Sequence, residues 1–231
     1  MNQQSSLWED AWRRLLANKA AVGGGVILCI LITLAILAPW IAPHSYSYQN
    51  LDLGAQPPSS TFFLGTDTLG RDLFSRILYG ARVSLMVGFV ATGVALVIGV
   101  SWGIIAGYFG GRVDSIMMRI VDVLYGLPFI IFIILLMVIF GRNIWLLFGA
   151  IGAVEWLTMA RIVRGQVLTI KNQEYVLAAQ AMGVSNFQMF RKHIFPNILG
   201  PIAVYATLTI PQVMLLEAFL SFLGLGIQPP M

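Results

Sequence analysis

The sequence predicts an all-α, polytopic membrane protein. Three observations carry that prediction: an excess of apolar residues, several charge-free runs long enough to cross a bilayer, and basic residues gathered on alternate connections. Hydrophobic residues make up 58% of the 231-residue chain and charged residues 10%, against about 45–50% and 25% in soluble domains. The net charge of +4 lies beside apolar runs, not in a basic stripe with interleaved aromatics, which argues against nucleic acid as a partner and for membrane lipid. Cys29 is the lone cysteine and lies inside the first apolar run, so no intrachain disulfide can form.

Residues 1–21 read as an N-terminal interfacial helix. Ser6 and Glu9 stand at capping-box spacing, and Leu7, Trp8, Ala11, Trp12, Leu15 and Leu16 share one face. Residues 22–41 follow without a charge and match the ~20 residues that cross a bilayer, with no small-residue cleavage site that would mark a signal peptide. Residues 42–82 form a polar excursion with Gly, Pro and Ser punctuation. The remainder, 83–231, reads as a core of four further spans at about 83–109, 116–140, 144–162 and 198–216, making five. Pro128 predicts a kink in the third span, Glu155 lies in the fourth, and Pro201 and Pro211 fall in the fifth.

Basic residues orient the chain. With the N-terminus in the cytoplasm, ten lie inside (Arg13, Arg14, Lys19, Arg112, Arg119, Arg161, Arg164, Lys171, Arg191, Lys192) and four outside (Arg71, Arg76, Arg82, Arg142). This places 42–82 outside and the polar segment at about 166–197 inside. An odd span count puts the C-terminus outside, ending at Gln228-Pro-Pro-Met231 without a basic anchor, and the reading expects a chain cut short, with a sixth span missing.

Small residues recur every fourth position at Ala91, Ala95, Gly99, Gly103 and Gly107. Such a stripe admits a second helix at close range, within the chain or at a subunit interface. Asp122, Glu155 and Glu217 lie in or near apolar spans, where an ionisable group costs at least ~2.5–3.5 kcal/mol and needs a partner or a water-lined cavity. Arg119, one turn before Asp122, and Arg161, six residues after Glu155, are the expected partners, and Glu217 is expected near the outer end, within reach of water. These three carboxylates are candidates for the translocation path or for structural pairing. Both histidines, His44 and His193, lie outside the spans, and neither HExxH, GxSxG nor GxxxxGK[ST] occurs. The sequence therefore offers no catalytic set, no metal site and no bound cofactor, and any ATP hydrolysis must come from another subunit.

The polar segment from Glu174 to Leu199 reads EYVLAAQAMGVSNFQMFRKHIFPNIL. Glu174 to Met182 are good helix formers with small residues at Ala178, Ala179 and Ala181, and Gly183 can take the left-handed conformation that ends a helix. Ser185 with Gln188 at the third position forms a capping box for a second helix, along which Phe187, Phe190 and Ile194 follow at helical spacing until Pro196 is expected to stop it. Two short helices joined at Gly183 predict a compact surface, either for a partner or for lying on lipid.

This segment resembles the EAA loop of permease subunits of bacterial ATP-binding-cassette importers. Ala178, Ala179, Gly183 and Pro196 match the pattern, while Leu177 replaces its Glu, His193 its Ile and Phe195 its Leu. LGTDTLGRDLFSRILYGARVSL (Leu64 to Leu85), ARIVRGQVL (Ala160 to Leu168) and EAFLSFLGLGIQPP (Glu217 to Pro230) resemble segments of the peptide/nickel-type permeases in the same order. EWLTMARIVRG, with Glu155 before Trp156, looks most like the second permease subunit of oligopeptide importers.

The resemblance implies the type I importer transmembrane-domain fold (MetI-like) in a bacterial inner (plasma) membrane. Its implied partners are a second homologous permease, two cytoplasmic ATPase subunits and a periplasmic peptide-binding protein. Its implied cargo is oligopeptides, with dipeptides, nickel or glutathione as alternatives. Glu174, Ala178, Ala179, Gly183, Ser185, Phe187 and Pro196 become the implied ATPase-coupling loop. A secondary transporter would need midplane ion sites and usually an internal repeat, and no repeat is visible.

Overall fold

The computed structural model describes residues 7–141 and 143–224. Ser6 of the expected capping box, the side chains of Leu7, Trp8 and Ala11, Arg142 and the Gln228–Met231 end lie outside the described residues. The chain divides into two units, the first running through Leu85 and the second beginning at Met86.

In the first unit α1 (Leu7–Ala17) stops at Asn18, whose side chain accepts the Ala21 N–H at 3.2 Å and caps α2 (Lys19–Ile41). The 23 residues of α2 reach about 35 Å at 1.5 Å per residue, enough to cross a bilayer. Its open face carries Val26, Ile27, Ile30, Leu31 and Ile36, as a lipid-facing helix requires. The segment after α2 forms neither helix nor strand ladder, yet it is folded on itself. Thr66 Oγ1 accepts the Gln56 N–H at 2.8 Å and donates to the Gly54 carbonyl at 2.7 Å. Gly65 and Gly70 sit at φ 78° and 68°, each where a Cβ would strike the backbone of Gln56 or Asn50, so only glycine fits.

Asp67 Oδ1 accepts the amides of Leu69 and Arg71 at 2.9 and 3.0 Å, and Oδ2 takes the Arg71 Nε–H at 2.7 Å. Burial by itself would raise the Asp67 pKa. The Arg71 and Leu69 hydrogen bonds outweigh it and hold the carboxyl below its ordinary value. Asp72 begins α3 (Leu73–Phe109) by accepting the Ser75 N–H at 3.2 Å and the Ser75 hydroxyl at 2.6 Å.

In the second unit α3 packs on α6 (Ile144–Lys171) through Gly99, Gly103 and Gly107. A Cβ on Gly103 would lie 2.5 Å from the Ala160 carbonyl oxygen. Ala91 and Ala95 are fully buried. The expected third span is broken: α4 (Gly111–Tyr125) and α5 (Phe129–Phe140) bend by 76° across Gly126-Leu127-Pro128. Proline's missing N–H and the restriction it places on Leu127 account for the break. The 12 residues of α5 reach only about 18 Å and do not cross a bilayer alone. Among the described residues four helices are long and apolar enough to span, or up to five if the bent pair is one span.

The expected fourth and fifth spans are longer than the sequence suggested. The fourth runs to Lys171 and the fifth from Phe195 to Phe222 as α9, with Pro201 and Pro211 inside. One core joins Ala95 of α3, Val121 of α4 and Trp156, Leu157 and Ala160 of α6. Trp102 and Trp156 meet edge to face at 5.2 Å, and the Trp102 indole donates to the Met117 carbonyl at 3.2 Å.

Candidate coupling surface and intramembrane charges

The Glu174–Pro196 segment forms α7 (Glu174–Ala181), a turn, the short α8 (Asn186–Met189), a π-helical turn over Phe190–Ile194 and then α9. Gly183, at φ 78°, sits in a Schellman turn: Gly183 N–H donates to Gln180 O at 3.0 Å and Val184 N–H to Ala179 O at 3.2 Å. Ser185 Oγ accepts the Gln188 N–H at 3.4 Å, a long cap, while Ser185 O takes the Met189 N–H at 2.8 Å. Pro196 does not stop the run. It lies in the first turn of α9, where its missing N–H costs no hydrogen bond, and the chain passes through the π turn directly into the span.

The loop has an inner and an outer face. Val176, Ala179, Met189, Ile194 and Ile198 are buried against Met159, Val163, Val167 and Ile170 of α6. Ala178 and Ala179 therefore do not share a partner-facing surface, as their adjacency suggested: Ala178 is open and Ala179 is 4% exposed, packed into the chain's own core. The open face instead carries Glu174, Tyr175, Leu177, Ala178, Met182 and Phe187, with Met182 and Phe187 at 78% and 71% exposure. Leu177 and Met182 carried no signal in the sequence, since their exposure depends on which side of α7 docks.

A strut ties this loop to the end of α3. The Tyr108 hydroxyl donates to the Asn186 carbonyl at 2.9 Å, and Lys171 Nζ donates to the Tyr108 carbonyl at 2.7 Å, supplying charge and a donor at the α3 C-terminus. Tyr108 also packs edge to face on Phe190, with ring centroids 6.1 Å apart.

The charges pair differently from the sequence expectation. Asp122 takes its hydrogen bond from Arg161 Nη2 at 2.8 Å, not from Arg119, and the Arg161 guanidinium lies 4.2 Å over the Tyr125 ring. Arg164 holds Asp114 in a two-pronged pair at 2.5 and 2.6 Å, joining α6 to α4. No local sequence signal singles out Asp114. Glu217 lies near the end of α9, as expected, but is not open to water: it is 6% exposed and accepts the Ser221 hydroxyl at 2.7 Å. Glu155 has neither arginine. It lines a cavity of about 420 Å³ beside the α4–α5 break.

Two family models cover most of the chain. Residues 99–231 match the binding-protein-dependent transport system inner membrane component, and residues 6–58 match the N-terminal transmembrane domain of oligopeptide transport permease C. The chain is 52% identical over 225 residues to the dipeptide transport system permease protein DppC of Bacillus subtilis, covering 97% of this chain and 70% of that protein. This chain belongs to the binding-protein-dependent permease family. The permease is also 48% identical to the oligopeptide transport system permease protein OppC of Haemophilus influenzae, over 98% of this chain and 73% of that one. It is 38% identical to the glutathione transport system permease protein GsiD of Pectobacterium atrosepticum, over 97% and 75%. As a family member the permease is a multi-pass inner membrane subunit of an ATP-binding-cassette importer, in which separate subunits hydrolyse ATP.

Proposed function

We propose that the permease carries oligopeptides inward and that its α7–α8 loop is the surface through which cytoplasmic ATPase subunits drive it. The observation that carries this reading is the division of the loop into two faces. Its inner face is continuous with the core of α6 and α9, so a displacement of the loop is delivered to two spanning helices at once. Its outer face offers Tyr175, Leu177, Met182 and Phe187, large groups that the chain's own core leaves exposed. Aromatic residues and methionine are the residue types enriched at protein interfaces.

The permease would pair with a second homologous permease, with two ATPase subunits on the N-terminal, cytoplasmic side, and with a peptide-binding protein on the other. The ten-to-four division of basic residues supports that orientation. Relatives named for dipeptide, oligopeptide and glutathione transport support peptides as the cargo class. The test is uptake of a labelled peptide by proteoliposomes of the assembled complex, with the ion gradients collapsed and ATP sealed inside. Uptake that continues supports the reading, and uptake that stops with the gradients overturns it in favour of an ion-coupled transporter.

A further inference from the structure

The geometry points to Glu155 and its cavity as a site for the free α-ammonium group of a peptide, a role that rests on the peptide-transport reading above. Three observations converge there. First, Glu155 is a partly buried carboxylate in a spanning helix, and no hydrogen bond or ion pair to it forms among the described residues, Arg161 and Arg164 being held by Asp122 and Asp114. An intramembrane carboxylate without a partner calls for a cation or water.

Second, the cavity of about 420 Å³ is walled by Phe129, Phe132 and aliphatic side chains with Thr158 beside Glu155, while the Tyr125 ring at its edge already carries Arg161. A carboxylate among aromatic rings is the chemistry that recognises an ammonium ion. The volume falls within the ~300–1,000 Å³ of small-molecule sites, room for an N-terminal residue and its side chain. Third, the open positions of α6 within its apolar stretch carry Gly149, Ala153 and Thr158, and among the described residues of α6 only Trp145 is large, apolar and exposed. By contrast α2 and α5 expose Ile, Leu, Val and Phe. A face that exposes small and polar groups is unsuited to lipid and fits a watery path.

The test is protection of a cysteine introduced at Thr158, in a Cys29→Ser background of the assembled complex in proteoliposomes. Trileucine and N-acetyl-trileucine serve as probes, and the rate of maleimide labelling is the readout. Free trileucine is expected to slow labelling at a concentration at least about tenfold lower than the acetylated peptide, and Glu155→Gln is expected to erase that difference. Equal protection by both peptides, no protection by either, or a difference that survives Glu155→Gln would each overturn the assignment. Loss of the second permease from the Glu155→Gln complex would also overturn it, because Glu155 would then serve a cation of that subunit. ATP-driven trileucine uptake by the wild-type complex, measured in the same vesicles, separates the two readings. Uptake without amine-dependent protection removes only this site, whereas absent uptake removes the peptide-transport reading itself.

Discussion

Replacing Gly103 by alanine adds one methyl group where α3 meets α6, and the surroundings leave it no room. The new Cβ would lie 2.5 Å from the Ala160 carbonyl oxygen, 2.8 Å from Val163 Cβ and 2.9 Å from the Arg164 amide nitrogen. Two of those three atoms are backbone, so no rotamer change relieves the overlap and the helices must separate. Overpacking of this kind costs about 1–3 kcal/mol, which multiplies the unfolded-to-folded ratio by about 5 to 150 at 1.4 kcal/mol per factor of ten.

Gly93, on the same helix, has nothing within 4 Å of an added Cβ. There the same substitution meets no obstacle and gains about 0.8–1 kcal/mol of helix propensity. The two variants should therefore move in opposite directions. The assay is thermal denaturation of the purified permease in detergent, followed by the fraction that stays monodisperse. Gly103→Ala should lower the midpoint and Gly93→Ala should leave it unchanged or raise it. Equal midpoints for the two variants would refute the claim that the glycine stripe is an intrachain close-packing surface.

Tyr108→Phe removes only the hydroxyl that reaches Asn186; it should leave ATPase docking intact while lowering peptide moved per ATP hydrolysed, read from paired uptake and hydrolysis measurements. Met182→Asp puts a charge on the open face and should release the ATPase subunit from the purified complex with the permease still folded. Ala179→Asp, buried in the chain's own core, should instead lower the yield of folded permease itself. Because the Asp67 pKa is held below its ordinary 3.8, its bonds contribute in full above that value and are lost as pH falls through the lower folded one. Hydrogen exchange at the Leu69 and Arg71 amides should accelerate in that window in the wild type, and an Asp67→Asn variant should show no such step.

Apolar run length made the spanning helices legible, because charges are excluded from hydrocarbon whatever the tertiary arrangement. Gly183 was legible for the same local reason: a helix end needs a left-handed residue, and only glycine stood there. Pro196 was ambiguous, since proline suits both the stop of one helix and the first turn of the next, and only the path of the chain decides. The docking side of α7 was hidden because its helix is short and carries apolar residues all round, so adjacency could not tell Ala178 from Ala179. The Arg161–Asp122 and Arg164–Asp114 pairs join residues 39 and 50 apart. No sequence window contains them, and the nearer Arg119 was a false partner. Glu217 read as open to water because its burial depends on which side chains pack over the end of α9, and no local pattern shows that.

On the proposed function, the outer face of the α7–α8 loop seats an ATPase subunit. A single cysteine at Met182, in a Cys29→Ser background of the assembled complex, tests it by short-range cross-linking to the ATPase. A seated ATPase gives an efficient cross-link whose yield changes when ATP is bound, and none from a cysteine at Val26 on the lipid-facing side of α2. A Met182 cysteine that reacts only with lipid-phase reagents and never with the ATPase would contradict it, and would make the loop a hairpin lying on the membrane surface.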